Sequence, residues 1–363
     1  MSSPTVTTQP TALAARPVAI SSPGFVFGLW GDAFLLIGAP LLALGAGVLV
    51  AETAPSTYSF MMGQSPNRVA HLVMFIFTMA HLSAVFFRSH GNPKIFALYP
   101  YRFTVVPLAL FAAMCLSEWI MVTVIVVGVW WDVYHSSAQT FGLCRIYDMK
   151  QGNSAEAGRR LDFWLNILLY CGPIAAGVTL FDHLHSFDSY KRVGATFYET
   201  LPTIAASYQP YVRYAMLGIG VPFLAYYVLA YVRLAREGYK ISPQKTALLA
   251  STGFVSIITW GFNSFGEAFF IMNFFHALQY FAIVWWSEKK NITRLFGYEN
   301  AKNGARRAFA LFLILPLMFG AVAAMAGSWN NQILINIQLV VSIMHFWYDG
   351  FIWSVRKKQV VAA

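Results

Sequence analysis

Charged residues are scarce in this chain of 363 residues: Asp, Glu, Lys and Arg make up 11% of it, and hydrophobic residues make up 58%. Soluble domains carry roughly 25% charged residues, so this chain has too few charges to cover a surface that faces water. The composition therefore excludes a soluble enzyme and predicts an all-α, polytopic membrane protein. Although the net charge is +10, no basic stretch is long and polar enough to bind nucleic acid, so we expect no nucleic-acid partner.

Cysteine is also scarce. Cys115, Cys144 and Cys171 lie in apolar runs, and no CxxC pair is present. These cysteines are interpreted as small core residues, because neither a disulfide framework nor a thiolate metal site has such spacing. The chain also lacks a GxGxxG motif and a ferredoxin-like cysteine set, so any redox chemistry would need electrons from another protein.

Residues 1–24 are rich in Ser, Thr, Pro and Ala and contain no basic stretch followed by an apolar one. They are predicted to form a disordered cytoplasmic tail and not a signal peptide. Residues 25–355 are predicted to form one transmembrane helical domain. Residues 356–363 are predicted to form a basic cytoplasmic tail.

Long apolar runs are abundant in the remainder of the chain. A transmembrane helix needs about 20 predominantly apolar residues, and the run over residues 103–144 is long enough for two, with a turn predicted at Ser117 and Glu118. The sequence therefore predicts about ten spans. Their approximate bounds are 26–50, 69–87, 103–117, 119–144, 162–181, 209–232, 246–262, 268–287, 308–326 and 332–354.

The basic residues predict the orientation of these spans. Of the 25 Lys and Arg residues, all but Arg68, Lys191, Arg192 and Arg213 lie in the N-terminal tail, in alternate loops or in the C-terminal tail. Cytoplasmic loops of membrane proteins carry an excess of Lys and Arg. Both termini are therefore predicted to be cytoplasmic, in what we expect to be a bacterial inner membrane.

Ionisable side chains occur within the predicted spans, although each costs a few kcal/mol at membrane depth on insertion scales. Five of the eight histidines belong to this group, and all five lie on even-numbered spans. The set comprises His71 and His81 on span 2, Asp132 and His135 on span 4, Glu267 and His276 on span 8, and His345 and Asp349 on span 10.

Four of these histidines are predicted to share one layer of the membrane. Counted to the next basic residue along the chain, His81, His135, His276 and His345 lie ~10 to ~20 Å inside the cytoplasmic boundary at the rise of an α-helix. His135 follows Asp132 by three residues, and Asp349 follows His345 by four. Each pair therefore lies on one helix face.

Histidines and carboxylates from facing helices are the ligands of dinuclear metal sites in helical bundles. We therefore predict a metal site in the cytoplasmic half of the membrane. Iron is the expected metal, and zinc and manganese are alternatives with the same donor preference. The predicted ligands are His81, Asp132, His135, His276, His345 and Asp349.

Several further roles are predicted around this site. Asp132 and Asp349 have a second interpretation, in which each holds a histidine in one tautomer without touching the metal. His71 and Glu267 are predicted to lie nearer the outer face. Three roles are open for them: they bind a second, shallower ion, they line a proton path, or they only pair with each other. Gln139 and Gln279 are predicted to orient the ligands through hydrogen bonds. Four aromatic residues are predicted to wall a substrate pocket: Trp130, Trp131, Phe346 and Trp347.

A metal cluster in an apolar bundle suits oxygen-dependent oxidation of a lipophilic substrate such as a fatty acyl chain, alkane, isoprenoid or sterol. We expect a hydroxylase, desaturase or oxygenase that takes electrons from a separate ferredoxin, cytochrome or reductase. The HxxxH and HxxHH boxes of membrane desaturases and alkane hydroxylases are absent. HFWYDGF, residues 345–351, resembles the His-Phe-x-x-Asp element of membrane carotenoid-cleaving enzymes over five residues, and no residue role is carried over from it.

Two other classes of function are compatible with the same residues. Histidines on facing helices also hold haem b in electron-transfer proteins, although such a site does not need the neighbouring carboxylates. Intramembrane His and Asp residues also form proton or metal-ion paths in transporters. The clustering of the polar residues in one layer favours a site over a path across the membrane.

Overall fold

A computed structural model of the chain describes residues 24–51, 68–177, 193–195, 197–263, 265–328 and 331–353. These residues form helices and no strand. The helices are α1 (Leu29–Asp32), α2 (Ala39–Ala51), α3 (Arg68–Ser89), α4 (Pro93–Leu98), α5 (Pro100–Leu116), α6 (Glu118–Lys150), α7 (Arg159–Gly177), α8 (Phe197–Ser207), α9 (Gln209–Arg236), α10 (Pro243–Phe262), α11 (Phe265–Leu295), α12 (Gly304–Ser328) and α13 (Gln332–Ile352), with a π-helical turn at Ala33–Ile37 between α1 and α2.

The helices follow the predicted apolar segments closely. The predicted turn between spans 3 and 4 is confirmed: α5 ends at Leu116 and α6 begins at Glu118, with extended backbone at Ser117. The Ser117 hydroxyl accepts a hydrogen bond from the Ile120 amide at 3.4 Å and so caps α6.

Within the described residues, five helices are long and apolar enough to cross a membrane, and the bent first segment adds a sixth if its two parts form one span. The all-helical prediction is therefore confirmed for the described residues, whereas the predicted number of ten spans is not. The N-terminal tail up to residue 23 and the predicted basic tail at 356–363 lie outside the described residues, so the location of the termini stays a prediction.

The first apolar segment is bent by 54° between Leu29–Ile37 and Ala39–Val48. The π-helical turn at the bend leaves backbone carbonyls that neighbouring helices use. Gln279 Nε2 on α11 donates to the Leu36 carbonyl at 2.8 Å, and Ser251 Oγ on α10 donates to the Ile37 carbonyl at 2.7 Å. Local irregularity within a membrane bundle is tolerated where such partners satisfy the backbone.

The helices that carry the predicted ligands pack directly against one another. Helix α3 contacts α11, α12 and α13, and α6 contacts α11 and α13. The contact between α3 and α12 is very close, because a Cβ atom at Gly320 would lie 2.1 Å from the Ile76 carbonyl oxygen. A glycine is therefore required at this crossing, as small residues commonly are where membrane helices approach.

In contrast to the close crossing of α3 and α12, helix α9 leaves most of its apolar surface uncovered. Leu217 is 54% exposed and Leu229 is 68% exposed, and 6% of the apolar stretch of this helix is buried within the molecule. Such a surface is unfavourable in water but matches the hydrocarbon of a bilayer.

Candidate metal centre

Four of the predicted ligands converge from four helices. His81 lies on α3, His135 on α6, His276 on α11 and His345 on α13, and each of these side chains is at most 3% exposed. The structure thus brings these histidines into one cluster, as the depth estimate predicts.

The imidazole nitrogens lie close together. His135 Nε2 is 3.0 Å from His276 Nε2 and 3.0 Å from His345 Nε2. The ring of His81 completes the cluster, with its centroid 5.1 Å from that of His276 and 5.0 Å from that of His345. When each ring carries its proton on Nδ1, the facing nitrogens offer lone pairs to the space between them, which is the arrangement that a metal ion requires; when one ring carries it on Nε2, the same distance is an N–H···N hydrogen bond.

One backbone contact sets the tautomer of His81. Its Nδ1 donates to the carbonyl oxygen of Thr78, one turn earlier on α3. Because a carbonyl can only accept, the proton is on Nδ1 and the lone pair is on Nε2. Among the described residues, no group bonds His81 Nε2, although it is buried. A buried imidazole nitrogen with a free lone pair is therefore directed at the cluster.

Asp349 supplies a carboxylate to the same cluster. Its Oδ1 accepts hydrogen bonds from the Tyr280 hydroxyl and from Trp353 Nε1, each at 2.9 Å. Its Oδ2 lies 3.8 Å from His135 Nε2 and 3.9 Å from His345 Nε2. The two donors thus hold one oxygen and leave the other facing the histidines, which is how supporting hydrogen bonds orient a carboxylate ligand.

The candidate ligands form two overlapping groups. One group is His81, His276 and His345, and the other is His135, His345 and Asp349; within each group the ligand atoms lie within 4.8 Å of one another. Because His345 belongs to both, the two groups are adjacent. The two groups comprise five residues, with His345 counted once, and this number of ligands leaves open coordination positions on a pair of ions.

Asp132 is not part of either group, although it was predicted as a ligand. Its Oδ2 accepts a hydrogen bond from Asn273 Nδ2 at 3.1 Å, which joins α6 to α11. The spacing of three residues places Asp132 near His135 along α6, but its carboxylate contacts the neighbouring helix instead. Whether it ligates a metal stays a prediction.

Four further residues were predicted near the site, two as outer ligands and two as hydrogen-bond donors to the ligands. His71 and Glu267 belong to α3 and α11, but their side chains lie outside the described part of the structure. Gln139 Nε2 donates to the His276 carbonyl oxygen and to Gln279 Oε1, each at 3.1 Å. The two glutamines therefore hold the backbone of α11 against α6 and do not bond the imidazole rings.

Two cavities adjoin the cluster. The larger has a volume of about 280 Å³ and is lined by His135, Asp349, Trp131 and Phe346, among others. The second, of about 180 Å³, is mainly apolar, is lined by His81 and Asp132, and also meets Phe346. Of the four predicted pocket residues, Trp131 and Phe346 therefore line the larger cavity.

The other two aromatic residues predicted for the pocket line neither cavity. Trp130 is 38% exposed. The Trp347 ring packs on Phe351, with the centroids 5.6 Å apart.

Sequence reasoning did not find the two donors to Asp349. Tyr280 follows His276 by four residues, and Trp353 follows Asp349 by four. Residues at this spacing lie on one helix face, so extending the face of each ligand by one turn could have found both. From the sequence alone, a tryptophan near the end of a predicted span, such as Trp353, is more readily interpreted as part of the interfacial aromatic belt that membrane proteins often have.

No known protein family, curated protein or solved structure matches this chain. Its function therefore has to be inferred from the geometry and chemistry of the histidine cluster.

Proposed function

We propose that this chain is an integral-membrane, non-haem metal oxidoreductase that uses O₂ to modify a lipophilic substrate as a hydroxylase, desaturase or oxygenase. The observation that carries the proposal is the convergence of four buried histidines and Asp349 in two groups that share His345. Burying so many polar side chains among apolar helices is unfavourable unless they are bonded, and bound metal would compensate for that cost.

The donor set favours a pair of iron ions. Imidazole nitrogens and a carboxylate oxygen bind iron, zinc and manganese, and neither group contains the sulfur ligands that copper(I) prefers. Iron with open positions supplies the oxygen activation that this chemistry needs. Zinc and manganese remain the alternatives that the metal analysis must distinguish.

The proposed reaction consumes one O₂ and two electrons. In hydroxylation, a C–H bond of the substrate breaks, one oxygen atom forms the new C–OH group, and the other leaves as water with two protons taken up. In desaturation, two C–H bonds break, a C=C bond forms and both oxygen atoms leave as water. The two electrons come from a separate ferredoxin, cytochrome or reductase, since the chain has no cofactor motif for them.

The surrounding residues have defined tasks in this proposal. Tyr280 and Trp353 hold Asp349 in position, and His81 is held by the Thr78 carbonyl. The apolar walls of the larger cavity bind the substrate and exclude water. We place the site in the cytoplasmic half of a bacterial inner membrane, where a soluble acidic electron donor would meet the basic loops.

The distances disfavour haem b held between His135 and either His276 or His345. Nitrogen–metal bonds are about 2.0–2.1 Å, so axial ligands on opposite faces of haem iron would lie about 4 Å apart. The observed Nε2–Nε2 distances are 3.0 Å, and the rings of His135 and His345 touch with centroids 4.7 Å apart. No room for a flat macrocycle exists between them.

The first experiment is metal analysis of the detergent-purified protein together with its absorption spectrum. We expect iron in at least stoichiometric amount and no Soret band. His345→Ala should remove most of the metal because both groups lose a ligand. The control is His90→Ala, since His90 bonds the Phe103 carbonyl and belongs to neither group.

Full metal retention in His345→Ala would make the histidines structural, and a Soret band would establish the haem alternative. The second experiment compares lipid extracts of cells with and without the active protein, which should differ by one oxygen atom or by two hydrogens. An unchanged lipid profile, with proton or metal-ion flux through liposomes that contain the protein, would instead establish a transporter.

A further inference from the structure

The larger cavity extends from the candidate metal centre toward the basic end of the helices. His135 and Asp349 line one part of it, and Arg145 and Arg159 line another. A ligand in this cavity would therefore contact the metal ligands and a guanidinium group at the same time. That combination selects for one chemical class of substrate.

The two arginines differ in their partners. Arg145 Nη1 is bonded to Asp148 and to Asp162, each at 2.6 Å, so its charge is compensated. The half-buried Arg159 makes no ion pair within the described part of the chain, and its Cζ lies 5.1 Å from the centre of the Phe141 ring. Among the residues that the structure describes, Arg159 is thus the one cation lining the cavity that has no ion-pair partner.

The wall between the charge and the metal ligands is largely apolar, although Gln139 and Tyr134 add polar atoms to it. Phe141, Phe163, Trp131 and Phe346 all line the cavity. A ligand that satisfies both parts has an anionic head and an apolar body. A carboxylate suits a guanidinium especially well, because the two can form paired, charge-assisted hydrogen bonds.

We infer that this cavity binds a single-chain fatty acid, with its carboxylate on Arg159 and its chain running to His135 and Asp349. The inference rests on the proposed function and specifies its substrate class. The volume of about 280 Å³ lies at the lower end of small-molecule pockets, which span roughly 300–1,000 Å³. It therefore suits one medium chain better than the two chains of a diacyl phospholipid.

The same geometry indicates where along the chain the reaction takes place. Phe141, beneath Arg159, follows His135 by six residues, which is a rise of about 9 Å along α6. The carbon that reaches the histidines is therefore several bonds away from the carboxylate. The C–H bond that breaks lies within the chain and not beside the head group.

Binding measurements test the inference without requiring turnover. Radiolabelled decanoate and decan-1-ol have the same chain and differ in the charge of the head. Equilibrium dialysis against protein in detergent, with empty micelles subtracted, should show decanoate bound about tenfold more tightly, as one charge-assisted contact predicts. Arg159→Gln should abolish this preference, and Arg159→Lys, which keeps the charge but not the paired hydrogen bonds, should retain part of it.

Arg160→Gln is the matched control, because the neighbouring Arg160 is exposed and does not line the cavity. It should keep the preference of the native chain. Equal binding of the acid and the alcohol by the native protein, or equal behaviour of Arg159→Gln and Arg160→Gln, would overturn the inference. So would stoichiometric co-purification of a phospholipid that decanoate does not displace.

Metal content separates this inference from the proposed function. Arg159→Gln should retain the full metal content, since Arg159 belongs to neither group of ligands. Loss of the acid preference with metal retained supports the fatty-acid site. A native protein that binds decanoate selectively but contains no metal would contradict the proposed function and leave the binding site standing.

Discussion

At the scale of single residues, two buried aspartates have different surroundings although both lie close to a histidine in sequence. Asp349 directs Oδ2 toward His135 and His345 while Tyr280 and Trp353 bond its other oxygen. Asp132 instead bonds Asn273. The surrounding donors, and not the spacing to the histidine, determine which carboxylate faces the cluster.

Replacing each aspartate by asparagine tests this difference. Asp349→Asn should lose most of the bound metal, because the amide removes a charged oxygen from a group of three ligands. Asp132→Asn should retain it. Elemental analysis of the two purified variants provides the measurement, and equal loss from both would make Asp132 a ligand, as its position in the sequence predicts.

At the scale of the helices, a buried ionic network joins α6, α7 and α10. The carboxylate of Asp162 lies 2.6 Å from Arg145 Nη1 and 2.7 Å from Lys245 Nζ, and Asp148 contacts the same two cations. The two positive and two negative charges balance. This balance lets basic residues lie buried at the ends of apolar helices.

The phenol groups of neighbouring residues complete the network. Burial and a hydrogen bond to Asp148 raise the pKa of Tyr239 to about 12, so at neutral pH the hydroxyl stays protonated and donates to the carboxylate. The hydroxyls of Tyr227 and Tyr231 donate to Asp162 at 2.9 and 2.6 Å. The network fixes the ends of the helices whose residues line the larger cavity.

Removing one charge from this network should destabilise the protein strongly. Asp162→Asn leaves two buried cations with one carboxylate, and breaking a buried pair costs about 3–5 kcal/mol. Thermal unfolding in one detergent should show a large decrease in Tm. The control is Glu299→Gln, whose pair with Arg294 is more than half exposed and contributes at most about 1 kcal/mol.

The result would contradict this account if Asp162→Asn and Glu299→Gln lowered the Tm equally. In that case the buried charges would be as well solvated as the exposed ones. The metal content of Asp162→Asn, measured below its unfolding temperature, should equal that of the native chain, since Asp162 is not among the candidate ligands.

At the scale of the whole molecule, charged and polar side chains are buried and large apolar side chains are exposed, which is the reverse of a soluble protein. The histidine cluster and the ionic network are buried, whereas large apolar residues such as Leu217 and Leu229 on α9 are exposed. A bilayer makes this arrangement favourable, because hydrocarbon and not water surrounds the exposed apolar side chains.

The orientation in that bilayer can be tested with single cysteines. In a chain without Cys115, Cys144 and Cys171, the exposed residues Ser207 and Lys302 are each replaced by cysteine. The distribution of basic residues predicts that Ser207→Cys reacts with an impermeant thiol reagent on intact cells, and that Lys302→Cys reacts only in inverted vesicles. The reverse pattern would place the metal centre in the outer half of the membrane.

The sequence by itself determined the helical architecture. Long apolar runs are sufficient for this, because only backbone that bonds internally is stable in hydrocarbon. The break at Ser117 was predictable for a similar reason, since one helix cannot extend for twice the thickness of the membrane. The number of spans was less certain, because hydropathy alone does not separate a spanning helix from a short or bent one.

The four-histidine cluster was also predictable in part. Counting residues to the nearest charge places His81, His135, His276 and His345 at one depth, because an α-helix rises by a constant distance per residue. The rotation of each helix about its own axis cannot be obtained by counting residues, because packing against neighbouring helices determines it.

Only the tertiary structure therefore decided that Asp349 faces the cluster and Asp132 faces Asn273. It also brought Arg159, from a different helix, into the cavity that His135 lines. Depth follows from position along a single helix, whereas these contacts depend on how separate helices are turned toward one another.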